Sequence, residues 1–212
     1  MLSVILCFSF TIFTYATDEE SVILKEQNHV VITNSDELEE ITNEEGIEIP
    51  DGYTLEKVEY CTYLDIETTE SNTQVDSNIE PRAGLIYSIS NVKIVTPDFC
   101  YVNEYEHDIY EGPAEISTTF SFSKAVKRSI GVNVGSSTVK AAVGYDITDT
   151  YNVSKTFKTT VAKGKILEIK AYPVYRRTTF DIYNRWTDKL VETGAHTNKV
   201  VGVYIAQYTY SK

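Results

Sequence analysis

The chain has 212 residues, 42% hydrophobic and 24% charged, a globular composition with room for one large domain or two small ones. That excludes a wholly disordered chain and a multi-span membrane protein, and a formal net charge of -12 argues against a nucleic-acid partner bound through phosphates. The bias to Tyr (16) and Phe (8), with one Met and one Trp, predicts strands.

Residues 2–13 form an uncharged apolar run. Thr14-Tyr15-Ala16 then places small side chains at a cleavage site, and Asp18-Glu19-Glu20 follows. This pattern predicts a secretory signal peptide over 1–16 and a secreted, extracellular protein, although no Lys or Arg precedes the run. The run is too short to span a bilayer, which takes about 20 apolar residues. Cleavage would remove Cys7 and leave Cys61 and Cys100. An exported pair predicts one disulfide, closing a loop of about 40 residues and stabilising by about 4 kcal/mol, with two free buried thiols as the other reading.

Residues 17–80 carry 19 acids against Lys25 and Lys57, a balance of -17, whereas residues 81–212 come to +5. The acidic part, 17–66, reads as a small α+β segment. Val22–Leu24 and Val30–Ile32 suggest strands. SDELEEITNEEG suggests a helix capped by Ser35 or Asp36, ended by Gly46, with Leu38 and Ile41 on its apolar face. Residues 55–66 read as a strand, and 67–82 as a polar linker. The acidic segment could dock on the basic part as a cover or pro-region.

From residue 83 on, alternation dominates. The expectation is an antiparallel β-sandwich or meander of about seven to nine strands over 83–212, so the fold class is mainly β with a small acidic α+β lead. ILEIKAYPVY, RTTFDIYNRW, KLVETG and KVVGVYIAQYTY read as separate strands. Fifteen of residues 117–160 are Ser or Thr. Within them, 129–147 reads as a hairpin turning at Gly135–Thr138. Ile130, Val132, Val134, Val139, Ala141, Val143 and Tyr145 share its apolar face, the pattern of a membrane-barrel hairpin and equally of any half-buried one.

Catalytic chemistry is not legible. His29, His107 and His196 share no metal-ligand spacing, and there is no Cys-x-x-Cys, phosphate loop or nucleophile elbow. No cofactor and no metal centre is therefore expected, and the chain reads as non-enzymatic. Residues 101–112 are dense in acids and aromatics. Tyr101, Glu104, Tyr105, Glu106, Asp108 and Tyr110 are candidates for a cation or sugar contact, or simply alternate along a strand. Lys124, Lys127 and Arg128, and Arg176-Arg177, could meet an anionic surface.

The run from Ala141 to Tyr183, AAVGYDITDTYNVSKTFKTTVAKGKILEIKAYPVYRRTTFDIY, and the ending KVVGVYIAQY resemble small secreted β-rich proteins of Gram-positive bacteria over roughly residues 84–210. A looser likeness is to aerolysin-type pore-forming proteins, through Thr159–Lys165 and Lys170–Tyr175, though the paired prolines of that turn are missing here. The strand-rich architecture with no catalytic set reads as an extracellular module that acts by binding, with a cell-envelope or host-surface ligand. The likeness to pore-forming proteins implies membrane contact through the hairpin near 129–147. Neither names a ligand or an oligomeric state.

Overall fold

The computed structural model describes residues 21–23, 29–64 and 86–212. The signal peptide, the linker over 67–82 and Cys7 lie outside these residues. Twelve elements follow in order: β1 (Ser21–Ile23), β2 (His29–Ile32), α1 (Ser35–Glu45), β3 (Thr54–Leu64), β4 (Tyr87–Tyr101), β5 (Glu106–Glu111), β6 (Ala114–Ala125), β7 (Lys127–Ser129), α2 (Ser136–Val143), β8 (Thr150–Val161), β9 (Lys165–Asn184) and β10 (Leu190–Ser211). The fold is mainly β and every pairing is antiparallel.

One eight-stranded sheet runs β1-β4-β9-β10-β3-β2, with β5 also on β9 and β7 also on β10. A second sheet holds only β6 and β8. The axis of the molecule is the β9–β10 hairpin, with strands of 20 and 22 residues. At ~3.3 Å per residue that is about 70 Å, several times a usual strand of about 5–6 residues. The four strands read separately from the sequence are thus two. The strand continues through Pro173, which falls between the last partner on β5 (opposite Ala171) and the nearest on β4 (opposite Val174), where no neighbour on that side needs its missing N–H.

The acidic segment belongs to this same sheet. Its β2 and β3 extend the β10 edge, so the charge boundary does not divide the fold. Helix α1 forms as expected, but Asn34 caps it, accepting from the Asp36 N–H at 3.0 Å, and Gly46 closes it in the left-handed conformation at φ 61°. Leu38 and Ile41 are buried against Val58, Ala206 and Tyr208. Glu45, at the end of the helix, accepts from Tyr60 (2.6 Å) and Tyr208 (2.7 Å) and ties it to the sheet.

The expected disulfide is absent. Cys61 on β3 and Cys100 on β4 are both buried free thiols. Strands β10 and β9 lie between them, and three steps of ~4.8 Å put them about 14 Å apart, against a limit of about 7 Å between Cα atoms. Under denaturing conditions a thiol-reactive dye is expected to label both cysteines without prior reduction, and reductant should leave the melting temperature unchanged. A melting temperature that drops on reduction would contradict this arrangement.

Candidate functional site

Strands β6 and β8 form a ribbon of twelve pairs, from Ala114↔Val161 to Ala125↔Thr150. Strict alternation gives it two unlike faces. Ile116, Phe120, Phe122, Val153 and Val161 point inward and pack on Ile169, Ala171 and Tyr175 of β9 and on Val203 and Ile205 of β10. Outward stand Ser117, Thr119, Ser121 and Ser123, facing Lys158, Thr156, Ser154 and Asn152 across the ladder. The Thr119 and Thr156 hydroxyls meet at 2.9 Å.

Residues 126–149 join the two strands, and here the structure departs from the hairpin read at 129–147. The chain pairs briefly with β10 as β7, runs irregularly to Gly135, and forms helix α2. Ile130, Val132, Val134, Val139, Val143 and Tyr145 do gather in one cluster, against Phe180, Ile182 and Ala195, while Ala141 stays exposed. Alternation along β9 puts Phe180 and Ile182 on the face opposite Tyr175, so this strap crosses the β10 edge to reach the far side of the sheet from the ribbon. The helix wins locally because Val139 and Val143 satisfy a helical i, i+4 spacing as well as a period of two, and the sheet offers them an apolar bed.

The strap is lightly held. Helix α2 has eight residues, a glycine N-cap with no side-chain hydrogen bond, and β-branched residues, so packing of the fully buried Val139 sustains it. Thr138 Oγ1 is buried with no hydrogen-bond partner, a cost of about 1–3 kcal/mol. Polar ties add to this, besides the three β7–β10 pairs and the Tyr151 hydroxyl at Asp146. The Gly131 N–H donates to both Glu192 carboxylate oxygens (2.8 and 2.9 Å), the Tyr145 and Thr197 hydroxyls meet at 2.6 Å, and Lys140 pairs with Asp146 at 2.9 Å.

The register of the ribbon connects the two readings. Continuing the β6–β8 ladder past Ala125↔Thr150 with no slip sets Ile130 opposite Tyr145, Val132 opposite Val143 and Val134 opposite Ala141. All six then lie on the apolar face that Phe120, Phe122 and Val153 begin. Gly131, Asn133, Ala142 and Gly144 continue the polar one.

Glu104 anchors the root of the strap. Its carboxylate receives Lys124 (2.7 Å), Lys127 (2.8 Å) and the Tyr175 hydroxyl (2.7 Å). Burial by itself raises this carboxyl, but the hydrogen bonds from Lys124, Lys127 and Tyr175 outweigh it and hold the pKa at about 2. A depressed carboxyl stabilises the fold above its ordinary 4.5, and that contribution is lost as pH falls toward about 2. The melting temperature is expected to decline across this window, and Glu104→Gln should flatten that part of the profile. An unchanged slope in the variant would remove Glu104 from this role.

The cation or sugar contact predicted over 101–110 is not assembled. Tyr101 is a core residue, edge-on to Phe99 and Tyr175, and accepts from Asn198 at 2.9 Å. Glu104 is taken by its lysines, and Asp108 accepts from Tyr110 and Thr118. Tyr110 packs on the core, whereas Tyr105 and Glu106 remain exposed. The carboxylates are spent on separate partners and do not converge. Most of the basic clusters are likewise satisfied internally: Lys124 and Lys127 on Glu104, Arg176 on Asp98 at 2.7 Å, and Arg177 on Asn198 at 3.0 Å, while Arg128 is exposed. These partners come from 98–198, not from the acidic segment.

Among the described residues one group of possible metal ligands lies together: His29, Glu59 and Cys61, with donor atoms within 4.8 Å of one another. Sequence spacing could not find it, because the β2–β3 register sets His29 opposite Cys61. Lys57 already pairs with Glu59 at 2.8 Å and His29 with the same carboxylate at 2.7 Å, so the group reads as an ion-paired cluster.

No family model matches the chain, and no curated protein matches it. Six chains of solved structures do. One belongs to the crystal structure of the Cry23Aa1 and Cry37Aa1 binary protein complex, at 10% identity, covering 82% of this chain and 83% of that one, with a TM-score of 0.19. At that TM-score the likeness carries no weight for fold or function.

Proposed function

We propose that the chain is a secreted, non-enzymatic protein that acts on membranes, with residues 114–161 as its inserting hairpin. The observation that carries this is the matched register: the strap folds as a helix, yet its alternation is in phase with the ribbon that flanks it. Zippering 126–135 against 140–149 adds ten residues per strand, with Val126, Ile130, Val132, Val134, Ala141, Val143, Tyr145 and Ile147 on the apolar face and Arg128 and Asp149 at its root. A bilayer-crossing strand needs about 9–11, alternating apolar and polar. The hairpin at 129–147 by itself holds about seven or eight alternating residues per strand, marginal for a span, and the ribbon register adds its flanks.

The long β9–β10 axis supports the same reading, because a compact binding sandwich has no use for strands of 20 and 22 residues. So does the lightness of the strap, which must leave its bed on Phe180, Ile182 and Ala195 to extend. Every backbone group of the extended hairpin finds a partner except at its edges, which neighbouring copies would have to close.

The test places an environment-sensitive dye at each position of 130–134 and 141–145 in turn, in a background with Cys61 and Cys100 replaced by Ala. With vesicles, lipid-like emission is expected at 130, 132, 134, 141, 143 and 145 and aqueous emission at the intervening positions, together with release of trapped dye. A helical pattern, or no leakage from any lipid composition, would return the chain to the class of extracellular binding modules.

A further inference from the structure

The β9–β10 turn presents the chain's single Trp to solvent. Trp186 is 80% exposed, and beside it Leu190 (53%), Ile86 (49%) and Val191 (42%) are exposed as well. They form one patch. The Arg185 N–H donates to the Ile86 carbonyl at 2.9 Å, and the Asn184 N–H to the Lys189 carbonyl at 2.8 Å, which brings the start of β4 and both ends of the turn together. The turn itself is built rather than loose. The Asn184 side chain accepts from the N–H groups of Trp186 (2.9 Å) and Thr187 (3.1 Å), and Asp188 sits at φ 51°. An indole and three aliphatic side chains left in water on a fixed turn gain nothing from folding, and such an exposed apolar group marks an interaction site.

The charges say which occupant. Arg185 and Lys189 flank Trp186 within the turn, against Asp188, while the next acid, Glu192, is held by the Gly131 N–H, in a chain whose overall charge is -12. An indole between cations beside aliphatic side chains is the chemistry of a bilayer interface: the ring sits at headgroup depth, the aliphatics enter the acyl boundary, and the cations meet anionic headgroups. We propose that this turn is a docking tip for an anionic lipid surface. The proposal takes the membrane reading as its frame and names the partner of that end of the molecule. Glu192, which holds Gly131 of the strap, lies two residues from Leu190, and the bed of the strap at Phe180 and Ile182 is on the same two strands. Docking the tip therefore brings the stored hairpin to the bilayer.

Because the chain has one Trp, its intrinsic fluorescence reports on this tip alone. The full chain is mixed with vesicles of phosphatidylcholine, with and without phosphatidylglycerol, some carrying bromine near the headgroup end of the acyl chains, and dye release is followed in parallel. A blue shift and bromine quenching are expected with the anionic vesicles. Arg185→Glu, a reversal of two charge units, should weaken vesicle co-sedimentation roughly 30-fold, at about 1 kcal/mol per surface charge and ~1.4 kcal/mol per decade, and Leu190→Glu should weaken it at unchanged melting temperature. Dye release with Trp186 still emitting as in water overturns the docking tip and leaves the inserting hairpin standing. A blue shift without release does the reverse. An equal shift on both lipid compositions overturns the anionic assignment, and no shift on either overturns the tip.

Discussion

Val132→Lys is expected to abolish dye release while the protein stays folded. Val132 lies at the centre of the apolar row that continuing the ribbon register creates, opposite Val143. A lysine on the lipid face of a spanning strand near the bilayer midplane costs about 2–4 kcal/mol, roughly a 30- to 1,000-fold loss in insertion at ~1.4 kcal/mol per decade. In the stored form Val132 is only half-buried, so its cation can reach water and the melting temperature should change little. Asn133→Lys is the matched control. It stands on the polar face of the extended hairpin and should leak as the parent does. Equal leakage from both variants would sink the proposed register.

Gly202→Ala should strongly destabilise the fold. A Cβ there would come 2.3 Å from the Tyr63 carbonyl oxygen and 2.9 Å from the Leu64 Cα, both backbone atoms of β3 that cannot turn aside. Gly202 pairs with Leu64 in regular register on β3, while on its other side the register of β10 against β9 slips between Val200 and Gly202. Overpacking of this kind costs about 3 kcal/mol, which in a chain of this length lowers the melting temperature by roughly 6–12 °C. An alanine variant that melts with the parent would mean that β3 is not seated on β10 there.

What the sequence made legible was periodicity. Ile116, Phe120 and Phe122 alternate with Ser and Thr, and Val153, Phe157 and Val161 with Lys and Thr, and this period of two marks β6 and β8 and their faces. Leu38, Ile41 and Gly46 predicted α1 for the right physical reasons. What stayed hidden depends on which strand lies beside which. Cys61 and Cys100 looked like a pair only because nothing in a linear reading inserts β9 and β10 between them. Glu104 and Asp108 looked like common ligands because the lysines and hydroxyls that take them arrive from β6, β7 and β9. The strap is the instructive case. Its period of two is present in the residues, but Val139 and Val143 fit a helix equally well, and the apolar bed decides between the two arrangements.

The pairing of β3 with β10 has a consequence for how the chain is made. Thr54 pairs with Ser211 and Cys61 with Ile205, so the partner of β3 is the last described strand to be synthesised. Until then, β2 and β3 present an unfinished edge with Val58 and Tyr60 ready to recruit other chains. The segment that contains this edge is the one with a balance of -17. Its acids surround a strand that must wait, and mutual repulsion between nascent chains would keep that strand from pairing before β10 arrives.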